Sequence, residues 1–380
     1  MESCEVLIAG GGPAGSSCAR RLREAGIDAV ILDKAVFPRD KVCGGWITPA
    51  VVEELELDLE EYARGRVLQP ITGFKTGRMG GAEVTTDYGR AVSYGIRRVE
   101  FDDYLPKRSG ARLVLGKALT SLKRDGDAWI VNGEDGNGGI RARMLVGAGG
   151  HFCPVARHLG ASARKEEAVA AQEMEFEMSA EQQRACAIRG DAPELYFCED
   201  LKGYGWCFRK GDFLNIGLGR LDAHLLPAHV AAFVRGLRES GKVGFDLPAA
   251  MRGHAYLIFR EAKRPVVGEG VLLIGDAAGL AYSQSGEGIR PAIESGLLAA
   301  RAMIAAGSEY TRERLESYRG MLAARFGESR VDWPTRIGRK LPAQVMQSIA
   351  GALLGTRWFS RKVVIDRWFL HADEPALEWR

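Results

Sequence analysis

The chain has 380 residues, 46 % of them hydrophobic and 27 % charged, with a formal net charge of +3. This is the make-up of an ordinary globular protein with room for one large or two interleaved domains. Charge so near balance excludes the basic footprint of a nucleic-acid binder, and no apolar run nears the ~20 residues of a membrane-spanning helix. The seven cysteines are dispersed and show no Cys-x-x-Cys or Cys/His spacing, so reduced thiols, no metal site and a cytoplasmic location are expected. No secretory leader is expected before the first strand.

The first elements carry the most information. Val6–Ala9 reads as an apolar strand and Gly10-Gly11-Gly12-Pro13-Ala14-Gly15 as a GxGxxG turn. A helical run ends at Gly26, and Ala29–Leu32 is a second strand closed by Asp33. Gly10 permits the tight turn, Gly12 lets backbone approach a pyrophosphate, and Gly15 lets the helix pack on the strand. The helix N-terminus, with Pro13 and Ala14 in its first turn, faces the phosphates with unpaired N–H groups. Asp33 stands roughly 20 residues on, where a ribose-hydroxyl acceptor is needed, with Lys34 beside it. A fingerprint this close to the N-terminus suits FAD and leaves NAD(P) open.

A loop follows from Lys34 to Gly45, then a short acidic helix over 49–63. Residues 70–94 alternate as strands of a second sheet, and 98–107 is helical. Residues 113–122, 128–132 and 140–146 form a strand meander with a glycine-rich turn at 133–139. Strands recur at 169–178, 194–197, 205–209 and 213–219, and 226–240 is helical. Val271–Ile274 is a buried strand running into Gly275-Asp276-Ala277-Ala278-Gly279, which places the Asp276 carboxylate at a strand end to accept from a ribityl hydroxyl. Gly286-Glu287-Gly288 then opens a helix at Ile289 whose N-terminus can face flavin oxygens or phosphate. Helices cover 287–306 and 311–326, and the tail after Asp332 is helical or irregular.

These two glycine sites, with Arg98-Val99-Glu100-Phe101-Asp102-Asp103-Tyr104-Leu105 between them, resemble the FAD-dependent hydroxylase-type superfamily. Lys41-Val42-Cys43-Gly44-Gly45 resembles the KxCGG segment of geranylgeranyl reductases, and Tyr204-Gly205-Trp206-Cys207-Phe208 their YxWxF signature. The resemblance covers about residues 4–330. Three positions depart from its pattern: Gly149 replaces the aspartate of GADG, Ser283 replaces the proline after GDAAG, and Arg209 replaces the proline after YxWxF. It implies an α/β fold, an FAD-binding Rossmann-like (GR2-type) domain with an inserted antiparallel β-sheet substrate domain and a helical C-terminal segment. The expected divisions are 1–68, 96–165 and 255–330 for FAD binding, 69–95 and 166–254 for substrate, and 331–380 for the C-terminal segment.

The implied activity is reduction of C=C bonds of an isoprenoid or similar apolar substrate, with hydride leaving reduced FAD. Gly10, Gly12, Pro13, Ala14, Gly15, Asp33, Lys34, Cys43, Gly44, Arg98, Gly275, Asp276, Gly286, Gly288 and Ile289 are the expected cofactor contacts. Cys43, set by the isoalloxazine as the resemblance implies, either gates the flavin face or relays a proton, or simply packs. Tyr204, Trp206 and Phe208 share one face of a strand and either line a prenyl pocket or form the sheet's aromatic core. Arg98 pairs with phosphate or a substrate anion, or is a solvated charge, and His151 reads as a surface histidine. The electron donor is left open between NAD(P)H and a reduced protein. The aromatic and basic tail fits either peripheral membrane contact or a cap on the substrate domain. A flavin monooxygenase on an apolar or aromatic substrate shares the fold, and a non-catalytic flavin-binding protein is the reading from another class.

Overall fold

The computed structural model of the chain describes residues 1–133, 139–161, 168–248, 250–258, 264–327 and 343–379. Most of the turn expected at 133–139, and Trp333 in the tail, lie outside them. The first sheet runs in the order Val267–Gly268, Val271–Leu273, Ile140–Gly147, Glu2–Ala9, Ala29–Asp33, Arg112–Leu115. Its central strands pair in parallel. Both faces are covered, so Val6, Leu7, Ile8, Val30 and Ile31 are fully buried, and the strands read as unbroken apolar runs. The helices Pro13–Glu24 and Ile289–Ala306 pack against each other beside this sheet. A Cβ at Gly296 would lie 2.3 Å from the Ala14 carbonyl oxygen, so a glycine sets how closely the two helices approach.

Three expected elements divide differently. The helix expected over 49–63 becomes Pro49–Glu54 and Leu59–Tyr62, broken where Glu56 takes a positive φ of 50°. Asp58 starts the second piece by accepting from the Glu60 and Glu61 N–H groups at 2.9 and 3.0 Å. The strand expected over 113–122 breaks at Gly116: Arg112–Leu115 joins the parallel sheet, and Leu119–Asp125 turns into a hairpin. The strands over 70–94 serve two sheets, because Ser93–Ile96 pairs with Trp46–Ile47 on one side and Leu68–Ile71 on the other in a small sheet of their own.

The second large sheet has the order Arg252–Tyr256, Val169–Glu177, Phe213–Arg220, Gly203–Lys210, Glu194–Phe197, Gly73–Arg78, Glu83–Asp87. It is antiparallel except where Glu194–Phe197 meets Gly73–Arg78 in parallel. One face packs Cys207, Ile216 and Leu218 under the amphipathic helix Leu226–Glu239. The other face looks toward the first domain and carries the site.

The C-terminal segment is helical over Ala343–Leu354 and again over Ser360–Phe369, the latter wound wide. Val364, Ile365 and Phe369 pack on the aromatic part of the second sheet. The last residues then return to the first domain. Arg290 Nη2 donates to the Glu374 and Pro375 carbonyls, each at 2.9 Å, and Glu54 Oε1 accepts from Leu377 N–H at 3.1 Å. Trp379 lies under the guanidinium groups of Arg21 and Arg301.

Arg290 is fully buried between Glu54 and Glu294, with its Nε 3.5 and 2.9 Å from their carboxylates. Burial and then the neighbouring Glu294 push the Glu54 carboxyl upward. An Arg290→Leu variant leaves both acids without their central cation and should lose about 3–5 kcal/mol of stability, read from urea unfolding at neutral pH.

Candidate active site

The first cradle forms where Glu2–Ala9 ends. Gly10 has φ 125°, and a Cβ there would lie 2.3 Å from the Ala148 carbonyl oxygen. A Cβ at Gly15 would sit 1.9 Å from the Gly10 carbonyl oxygen. Both glycines are therefore demanded by packing. Gly12 differs: the nearest atom to its Cβ position is Arg39 Nη2 at 3.6 Å, and no side chain caps the helix that it opens. An open glycine at an uncapped helix N-terminus is the space a pyrophosphate requires. Asp33 is held facing this turn, its Oδ2 accepting from Gly11 N–H at 2.7 Å and its Oδ1 from Ala35 N–H at 2.8 Å. Lys34 is exposed beside it.

Arg98 lies deeper than a phosphate ligand at the surface of this cradle. Its Nε and Nη2 make a buried two-bond fork with Asp102, at 2.7 and 2.9 Å. The same Asp102 holds Arg39 at 3.0 Å, and the Arg39 guanidinium also stands over the Phe37 ring. Arg39 is thus the cation aimed at Gly12, a residue that motif reading passed over. Its signal is faint: an arginine two residues after a buried phenylalanine in the loop that leads to Lys41.

The second cradle closes from the other side. Gly275 has φ 59°, and its N–H donates to Ser295 Oγ at 2.9 Å. The Gly288 Cβ position is 3.3 Å from Asp276 Oδ1, and a Cβ at Gly286 would lie 2.2 Å from the Tyr256 hydroxyl. Gly288 begins the helix, Glu287 Oε1 accepts from the Arg290 N–H in its first turn at 3.2 Å, and Ile289 turns its own side chain into the core. Lys41 Nζ lies 2.9 Å from His254 Nε2, which lies 3.8 Å from Asp276 Oδ2. Burial pushes the Asp276 carboxyl up, but His254, Lys41 and Arg98 outweigh it and hold it below its ordinary value. Burial, reinforced by Lys41, drives His254 down. An uncapped helix start at an open glycine, a second helix start beside Asp276 and a ring of cations fit the anionic, hydroxyl-rich body of FAD.

Cross-strand register builds the facing wall. Opposed residues of an antiparallel sheet share a face. One row is His254, Ala171, Gly219, Tyr204; the next is Arg252, Glu173, Gly217, Trp206; the third is Glu175, Asn215, Phe208. Tyr204, Trp206 and Phe208 do share one side, as the alternation required. The Trp206 ring lies over Gly217, where a Cβ would come within 2.2 Å of it, and its Nε1 donates to Asn215 Oδ1 at 2.7 Å. Trp206 and Phe208 pack in the aromatic core that also takes in Phe369, and they reach the Cys43 loop. A Cβ at Gly44 would sit 3.1 Å from Phe208 and 3.5 Å from Trp206.

The same face grips the backbone of that loop. Lys210 Nζ donates to the Gly44 and Ile96 carbonyls at 2.9 and 3.0 Å, and Asn215 Nδ2 donates to the Cys43 carbonyl at 3.2 Å. Glu173 accepts from the Cys43 N–H. Cys43 is half-buried, and all seven cysteines are unbridged. Glu173, Asn215, Lys210 and His254 escaped motif reading because their link to the loop exists only in the folded register. His151 corrects an expectation: it is buried, not superficial, and its carbonyl accepts from Arg264 Nη2 at 3.0 Å.

Residues 3–200 match the FAD binding domain family. The chain is 31 % identical over 356 residues to a menaquinone reductase of Mycobacterium tuberculosis, covering 86 % of this chain and 81 % of that protein. It is 30 % identical to a chloroplastic geranylgeranyl diphosphate reductase of Oryza sativa, covering 87 % and 72 % respectively. A crystal structure of a geranylgeranyl bacteriochlorophyll reductase-like protein from Thermoplasma acidophilum superposes with TM-score 0.79 at 18 % identity, over 98 % of this chain and 99 % of that one. The chain therefore belongs to the FAD-binding flavoprotein family that includes these reductases, and it is an FAD-dependent oxidoreductase.

Proposed function

We propose that the protein reduces C=C bonds of an isoprenoid or similarly apolar substrate. One observation carries the reading furthest: the aromatic row Tyr204, Trp206, Phe208 runs along the sheet face that grips the Cys43–Gly45 loop. An apolar chain needs such a wall, because it offers few groups for hydrogen bonding. Two relatives are named as reductases of menaquinone and of geranylgeranyl diphosphate, molecules that carry prenyl chains.

Bound FAD supplies the hydride chemistry that side chains lack. Gly10, Gly12, Pro13, Ala14 and Gly15 shape the pyrophosphate site, Asp33 takes the ribose, and Arg39 neutralises phosphate charge. Arg98 positions Arg39 through Asp102. Asp276, Gly286, Gly288 and Ile289 receive the ribityl and ring end, and Cys43 and Gly44 border the ring. The reducing equivalents come from NAD(P)H or a reduced protein.

We also propose peripheral contact with an anionic bilayer through the C-terminal segment. Among the described residues no helix is long and apolar enough to cross a membrane. Ile349, Leu353 and Trp358 are exposed, Trp358 by 69 %, beside the exposed cations Arg357, Arg361 and Lys362. This is the mixture that rests at headgroup level.

Anaerobic addition of geranylgeranyl diphosphate to dithionite-reduced holoenzyme should reoxidise the flavin and give a hydrogenated product by mass spectrometry. Reoxidation only on admission of oxygen, with an oxygenated product, would point to a monooxygenase. Arg39→Ala should weaken FAD binding roughly 10- to 100-fold in a flavin fluorescence titration, as loss of a charged hydrogen-bond donor does. Arg39→Lys should recover only part of it, since the fork to Asp102 is lost. Trp358→Ala should reduce cosedimentation with phosphatidylglycerol vesicles without changing turnover of a detergent-dispersed substrate.

A further inference from the structure

The cleft between the Cys43 loop and the inserted sheet is lined by Lys41, Cys43, Arg98, Glu173, Asn215 and Arg252. Glu173 stands out among them. It is 4 % exposed, and its Oε1 accepts from the Cys43 N–H, with the Asn215 amide also bearing on the carboxyl. Its Oε2 is buried with no hydrogen-bond partner among the described residues. A bare carboxylate oxygen in such a place is costly, so proteins retain one where the neutral acid is wanted.

Its neighbour sharpens the point. Glu175 lies two residues along the same strand, on the same face, and pairs with Lys210 and with Arg97, the latter at 3.2 Å. Burial pushes Glu175 up, but these cations overcome it and keep its carboxylate below the ordinary range. Lys210 is committed to Glu175 and to the Gly44 and Ile96 carbonyls. No ion pair forms at Glu173 among the described residues, and burial raises its carboxyl to about 7 despite the Cys43 N–H, Lys210 and the Asn215 amide. Two acids on one face with environments that drive them apart mark an acid and a spectator. The other charges bordering the cleft are Asp40 and Lys41 on the loop, Arg98 on the helix Arg98–Arg108 and Arg252 on the edge strand.

Resting on the reductase reading above, we propose that Glu173 is the catalytic acid of the alkene reduction, delivering the proton from Oε2. The hydride, which bound reduced FAD would supply and be oxidised in supplying, bonds with its two electrons to one alkene carbon as the π bond breaks. The electron pair left on the other carbon takes the Glu173 proton, the O–H bond breaks, and a carboxylate remains. Water entering the cleft restores the proton, and a reduced nicotinamide or protein donor restores the two electrons.

The test uses the full chain with Glu173→Gln and Glu173→Asp. The first readout needs no cofactor. An acid raised by folding holds a proton that the unfolded chain releases, so wild-type apoprotein loses stability as pH rises from about 4.5 to about 7. The melting temperature of the Gln variant should therefore gain on wild type by a few degrees between pH 4.5 and 8. An unchanged difference across that range would overturn the assignment.

The second readout is anaerobic reoxidation of dithionite-reduced holoenzyme by geranylgeranyl diphosphate. Glu173→Gln should bind FAD normally yet reoxidise about 10²–10⁴-fold more slowly, the usual worth of a general acid. Glu173→Asp should recover part of the rate, and the wild-type rate should fall above pH 7. A Gln variant that reoxidises as fast as wild type, with the same pH profile, would refute the role of Glu173 and leave the reductase reading standing. Wild type inert toward the alkene would instead overturn the reductase reading, and this role with it.

Discussion

The architecture of the site depends on one contact: the inserted sheet grips the Cys43–Gly45 backbone. Lys210, Asn215 and Glu173 come from three different strands, and all bind main-chain groups of a single loop. Backbone recognition fixes position without depending on the loop's side chains. It also demands that the loop carry none at two points. Gly45 has φ 67°, and a Cβ there would lie 2.2 Å from the Ile96 carbonyl oxygen, while a Cβ at Gly44 would press on Phe208. The glycine pair is therefore a docking requirement between two sheets far apart in sequence.

Buried charge is distributed along the same boundary. Asp102, fully buried, joins Arg98 to Arg39 and carries positive charge from the core of the first domain to the open side of Gly12. Lys41, His254 and Asp276 form a second line across the sheet and the later glycine turn. Charges removed from water persist only when paired or when a ligand completes them. Both lines end at helix starts, where a bound anionic cofactor would complete the pairing.

Much of this was legible where chemistry is local. GxGxxG, Asp33 and GDAAG occupy short stretches whose spacing is set by a turn and a helix, so their placement at strand ends and helix starts can be read without a fold. The shared side of Tyr204, Trp206 and Phe208 follows from strand alternation alone. Arg98 lies on the expected helix, but its partner Asp102 sits one turn away and takes its Nε and one Nη2 donor. The break at Glu56 was hidden because 49–63 has no proline or glycine after Pro49 to mark it. The Cys43 contacts with Glu173 and Asn215 span 130 and 172 residues. Only the strand register creates them, and a single chain read by itself carries no trace of that register.

The face that holds the loop is divided along its strands. Its Tyr204–Phe208 side is aromatic, while its Glu173–Glu175 and His254 side is polar. Reducing an alkene makes both demands at once. An isoprenoid chain must be held by shape and apolar contact, and the same carbon framework must meet a proton source within bonding distance. Side chains two strands apart in one twisted sheet can satisfy both, because two strand spacings of about 5 Å each separate their backbones and the Trp206 ring leans across the intervening Gly217. Gly217 is where the two halves meet: its missing side chain lets the Trp206 ring lie across the strand toward Asn215, with Glu173 against its other side. In the proposed reading a substrate wall and an acid would share one glycine-floored junction, and the polar residues there hold the Cys43 loop.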